Sequence, residues 1–174
     1  LKPFPIRFGD WRVHNNLAAL LPGTAAADDL AVAGGTFGTD GPLLVSADQA
    51  SNGAATAAYA RTQVRVPESF ETGETLSLLL RGRMGTVADV SATVDVEAYE
   101  SDGDGSVGSD LVTTAAQSIN SATFADKTFT IDASSVNPGD MLDVRIAVTI
   151  EDSATGSGVI AELSRVVLQA DIRG

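Results

Sequence analysis

Apolar side chains recur at every second position over long stretches of this chain, and few folds accept that spacing. Leu142, Val144, Ile146, Val148 and Ile150 alternate with Asp143, Arg145, Ala147, Thr149 and Glu151. Val90, Ala92, Val94, Val96 and Ala98 alternate in the same way with Ser91, Thr93, Asp95, Glu97 and Tyr99. Successive side chains on an extended strand leave opposite faces, so each run predicts a strand with one dry and one wet side. Leu76, Leu78 and Leu80 repeat the pattern, as do Val166, Leu168, Ala170 and Ile172. The segment from Ala58 to Val66 carries it more weakly, with Arg61, Gln63 and Arg65 on its wet side; Phe129 and Ile131 mark a shorter strand. Leu43 to Ala47 and Leu111 to Ala115 are two further candidates.

Turn-forming clusters separate the runs: PESFETGE from Pro67, GTVAD from Gly85, SDGDGSVGSD from Ser101, SVNPGD from Ser135 and EDSATGSG from Glu151. Glycine supplies positive φ, proline presets a turn, and Asn or Asp bonds back to its own backbone. No segment shows a convincing 3.6-residue period. Half-apolar strands without helices to cover them must cover one another. The fold class predicted is therefore all-β, an antiparallel two-sheet sandwich that is jelly-roll-like. The N-terminal third differs. Leu17 to Leu21 predicts a short helical turn, and Gly23 to Gly53 an irregular excursion with two short strands. Residues 1–14 read as an extended N-terminal arm, since Pro3 and Pro5 disfavour a helix, on a single β-sandwich domain of residues 15–174.

Composition narrows the function classes. Eleven basic against 23 acidic residues give a net charge of −12, which repels a phosphate backbone and argues against nucleic acid as partner. The absence of cysteine removes disulfides, thiolate metal sites and a cysteine nucleophile. No apolar run is long enough to span a membrane, and LKPFPIRFGDW lacks the apolar stretch of a signal peptide.

Few residues carry recognisable chemistry. Asp102, Asp104, Ser106 and Asp110 give the Ser101 loop the oxygen-rich look of a calcium site, but Val107 and Thr113 break the EF-hand pattern, so a solvated hairpin tip is expected. His14 is the only histidine and stands without a Gly-x-Ser-x-Gly elbow. No catalytic residue and no cofactor are expected, and Gly34-Gly35-Thr36-Phe37-Gly38, lacking a P-loop lysine, reads as a tight turn. A glycan cleft needs aromatic platforms, and Tyr59 and Tyr99 are the aromatics expected on wet strand faces. Arg61 and Arg65 share one strand face and Arg81 and Arg83 another; if those strands pair, the four form a basic interface patch. Phe4, Arg7, Phe8, Trp11 and Arg12 make the arm basic and aromatic, suited either to docking on an acidic neighbour or to folding back into the home core.

The blocks LAALLPGTAAADDLAVAGGTFGT, YARTQVRVPESFETGETLSLLLRGRM and ATVDVEAYESDGDGSVGSDL resemble a group of tailed-bacteriophage virion structural proteins. So do SATFADKTFTI, NPGDMLDVRIAV and the closing LQADIRG, so that the likeness runs over most of residues 15–174. Together with a likeness to jelly-roll cement proteins, it implies a capsid decoration protein. Such a protein sits on the outer capsid surface of the virion as a homotrimer and stabilises it by bridging copies of the major capsid protein. The alternative from another class is a receptor- or glycan-binding module of a head fibre or tail.

Overall fold

The computed structural model describes residues 1–26, 28–101 and 104–173. Within them the chain forms two six-stranded antiparallel sheets packed face to face. The first runs in the order β10 (Ala125–Ile131), β7 (Leu76–Met84), β12 (Ala161–Ala170), β5 (Leu43–Val45), β4 (Ala31–Ala33), with β1 (Lys2–Pro5) lying beside the second half of β12. The second runs β3 (Asn16–Leu20), β2 (Arg12–Val13), β6 (Thr56–Arg65), β11 (Met141–Glu151), β8 (Ser91–Ser101), β9 (Gln117–Ser118). The chain changes sheet from β6 to β7, from β7 to β8 and from β11 to β12, so the core fills the space between strands distant in sequence. This is the jelly-roll-like sandwich expected from the alternation.

The alternation sets the faces. Leu142, Val144, Ile146, Val148 and Ile150 are all buried, and opposite them across the core lie Leu76, Leu78 and Leu80. Ala92, Val94, Val96 and Ala98 are buried as well, whereas Val90 precedes its strand and is exposed. In β12 a register shift between Leu163 and Arg165 changes the parity of the inward positions. Ala161 and Leu163 point inward before the bulge and Val166, Leu168 and Ala170 after it, because one extra residue flips every later side chain.

Several expectations need correction. Leu17 to Leu21 is no helical turn: Asn16–Leu20 is an edge strand, held to β2 by Arg12–Leu20 and Val13–Asn16 pairing. Strands β6 and β7 lie in different sheets, so Arg61 and Arg65 never meet Arg81 and Arg83, and the four-arginine patch does not form. The PESFETGE segment that separates them is a crossing between sheets and not a hairpin. Of Leu111 to Ala115, only Val112 bridges, to Ile131. The first 14 residues fold back onto the body. Lys2–Pro5 pairs with Val167–Ala170, Phe4, Ile6 and Phe8 pack on the core, and Trp11 is buried in it.

One end of the sandwich is tied by a carboxylate. Asp152 is buried and accepts from the backbone N–H groups of Ser51, Asp89 and Thr155 at 2.8, 2.9 and 3.0 Å, drawing three loops together. Burial pushes its pKa up, but the Thr155 hydroxyl and these amides outweigh that and leave it well below the usual carboxylate range. No helix among the described residues is long and apolar enough to cross a membrane.

Candidate functional site

The wet face of the second sheet carries the densest polar chemistry, on the half away from Asp152. Register aligns it in rows. Arg12, Arg61, Arg145 and Glu97 stand directly opposite one another across β2, β6, β11 and β8. The next row is Gln63, Asp143 and Tyr99, and the row on the other side is Tyr59, Ala147 and Asp95. Residues directly opposite in a sheet share a face about 5 Å apart, so these side chains must interact.

They do so as charge-assisted pairs. The Arg61 guanidinium donates through Nε to Asp143 Oδ1 at 2.7 Å and through Nη2 to Oδ2, a two-pronged contact that lets Asp143 lie almost fully buried on a nominally wet face. The Asp143 carboxylate raises the Arg61 pKa, against the opposing effect of burial. Arg145 donates from Nε to Glu97 Oε2 at 2.5 Å, and its guanidinium lies 4.9 Å from the centre of the Tyr59 ring. The His14 ring packs against that ring at a tilt of 41° with centroids 4.6 Å apart, and its Nδ1 is 3.1 Å from Asp29 Oδ1. Asp29 is delivered by a short parallel bridge to Tyr59.

Between these groups is a depression of about 310 Å³ lined by His14, Asn15, Arg61, Tyr99, Val107, Asp143 and Arg145. A neighbouring one of about 380 Å³ is lined by Asp10, Arg12, Leu17, Thr62, Gln63 and Met141. The two adjoin, since Gln63 and Met141 are the next outward positions after Arg61 and Asp143 on the same strands. Desolvation pushes the Tyr99 phenol pKa up, and the Glu97 and Asp110 carboxylates add to it while Arg145 opposes, so the hydroxyl stays protonated as a donor at neutral pH. A phenol ring, two arginines and a nearly buried carboxylate thus line one shallow, open trough.

The residues singled out from the sequence are dispersed. Arg65 pairs with Glu68, Arg81 and Arg165 share Asp126, and Arg83 pairs with Glu162 and lies over Phe124. Arg7 is exposed, and Arg12 donates to the carbonyls of Gly9 and Trp11. Of the calcium-loop candidates, Asp102 lies outside the described residues. Asp104 accepts from the Ser106 amide, and Asp110 accepts from the amides of Ala98 and Val112. No three His, Asp or Glu side chains converge on a metal position among the described residues. Arg61 and Tyr99 join the trough. Asn15, Val107, Asp143 and Arg145 were not singled out, because sequence spacing is silent about which strands become neighbours.

No protein-family profile matches the chain, and no curated protein matches it in sequence. Solved structures do match in fold. The xylan-binding module CBM15 is similar over 99% of this chain and 99% of its own, at 12% identity and a TM-score of 0.52. The CBM22-2 xylan-binding domain from Paenibacillus barcinonensis Xyn10C covers 95% of this chain and 94% of its own, at 10% identity and a TM-score of 0.49. A family 35 carbohydrate binding module from Clostridium thermocellum covers 98% and 100%, at 13% identity and a TM-score of 0.47. No virion protein stands among these three, and at such identities the likeness to CBM15 speaks for the jelly-roll sandwich fold alone.

Proposed function

We propose that the protein is a glycan-binding module that takes a polysaccharide chain along the wet face of β6, β11 and β8, without turning it over. The observation that carries this is the trough around Tyr99. There an aromatic ring stands beside two arginine–carboxylate pairs already locked in place before any ligand arrives. Sugars offer C–H faces that lie on aromatic rings and hydroxyls that need directed donors and acceptors, and a preorganised set of both lowers the entropy cost of binding. The xylan-binding neighbours in fold are compatible with it. The capsid-bridging role has no observation of the fold on its side; a virion as carrier rests on the sequence resemblance.

Affinity electrophoresis and calorimetry against a panel of soluble polysaccharides test the proposal. The protein is expected to bind at least one, and Tyr99→Ala to weaken that binding about tenfold or more while lowering the melting temperature by only about 2–4 °C, because Tyr99 is half-buried on the wet face and outside the core. Failure to bind any member of the panel, or a Tyr99→Ala variant that binds like the parent, would sink it.

A further inference from the structure

Arg61 and Arg145 face each other directly across the two central strands of the second sheet. Like charges in that relation are destabilising, and the chain carries few cations to spend: eleven against 23 acids. Each guanidinium is braced from one side. Arg61 commits Nε and Nη2 to Asp143, and its Nη1 reaches the His14 carbonyl at 3.4 Å. Arg145 commits Nε and Nη2 to Glu97, and its guanidinium carbon lies over the Tyr59 ring. The Nη1 group of Arg145 has no hydrogen-bond partner among the described residues, and Arg145 lines the trough. Among the trough-lining residues, Arg61 and Arg145 outnumber the single acid Asp143, and both oxygens of that acid are taken by Arg61. Glu97, the partner of Arg145, is not part of the lining.

We infer that the preferred ligand carries an acidic sugar, a uronate, whose carboxylate docks on Arg145 beside Arg61. The inference rests on the glycan-binding reading of the same trough. A carboxylate is planar and matches a guanidinium edge, so it gains more from an arginine held in fixed orientation than a tetrahedral sulfate ester does. Tyr99, across the row from Asp143, lies beside this point and can take the apolar face of the same sugar ring or of its neighbour.

The test compares a uronate-bearing polymer, polygalacturonate or glucuronoxylan, with the same polymer after chemical reduction of its carboxyl groups, and with a sulfated polymer of equal charge density. The native uronate polymer is expected to bind about tenfold tighter than its reduced form, with the gap narrowing at high salt. The double variant Arg145→Gln/Glu97→Gln, which removes both charges together and leaves no orphan carboxylate, is expected to lose that gap. Retained Trp11 fluorescence and melting temperature show that this variant folds. Equal binding of native and reduced polymer overturns the inference and leaves a neutral-glycan module standing. Equal or tighter binding of the sulfated polymer overturns the carboxylate assignment. Failure of all three polymers and of every neutral one overturns the glycan-binding reading as well.

Discussion

Asp143 and Asp152 show how differently two acidic residues in strand-and-turn sequence end up. Asp143 occupies a position that alternation assigns to water, yet Arg61 covers it and satisfies both its oxygens. Asp152 follows the last strand residue of β11 and becomes the centre of a knot, with three backbone amides pointing at it and its own N–H donating to Asn52 Oδ1 at 2.9 Å. A carboxylate held below its ordinary pKa lends stability in full above the unfolded-state value, and that stability fades as pH falls toward the folded-state value. Asp48, tied to the amides of Gly158, Val159 and Ala50, acts in the same sense at the same end of the sandwich. Asp152→Asn is therefore expected to lower the melting temperature by about 5 °C or more at neutral pH. The variant should also show a shallower loss of stability than the parent between about pH 4 and pH 2. Thermal melts across that range check it; parallel curves for the two proteins would refute the clamp. Gly35 is a second position where one residue type is required, since a Cβ there would overlap Asp40 in the turn that follows.

At the scale of elements, the first strand is the instructive case. Pro3 and Pro5 alternate with Phe4 along β1, and a prolyl strand suits an edge, where missing N–H groups cost no ladder bonds. Beside it Val167 is buried although it points away from the inward-facing Val166 and Leu168, which alternation in β12 alone does not foresee. Deleting residues 1–10 removes this strand together with the half-buried Phe4, Ile6 and Phe8. At about 1 kcal/mol or more for each half-buried large side chain, the loss is about 3–5 kcal/mol, or roughly 10 °C in melting temperature. Scanning calorimetry measures it. A truncated protein as stable as the parent but altered in self-association would restore the docking-arm alternative.

For the whole molecule, the crossings between sheets matter most. Because β6, β8 and β11 lie in one sheet and β7 and β12 in the other, each sheet contains pieces from both halves of the chain, and neither can form its buried face alone. One shared core predicts one cooperative transition. Denaturation followed by the fluorescence of Trp11, the single tryptophan, and by far-ultraviolet circular dichroism is expected to give coincident curves. Separate midpoints would mean that the sheets melt independently. The same crossings put the Asp152 knot at one end of the second sheet and the Tyr99 trough on its wet face near the other, with Arg61, Tyr99, Asp143 and Arg145 supplied by strands and His14, Asn15 and Val107 by the segments between them.

The sequence by itself determined the β-structure and the facing of its side chains. The alternation around Leu142–Ile150 and Ala92–Ala98 is a local property, enforced by the geometry of one extended strand and the exclusion of apolar groups from water. It also placed Tyr99 and Arg61 on wet faces. It misled where a partner strand overrode local preference: Leu17–Leu21 looks helical in isolation but extends because β2 offers it a ladder. Only the tertiary structure decided that Arg61 and Arg81 part company, that Arg145 comes to stand opposite Arg61, and that the aromatic N-terminus folds home. Those are questions of strand neighbourhood between residues far apart in the chain. Neighbourhood is fixed by the packing of one common core, and no window of sequence contains it.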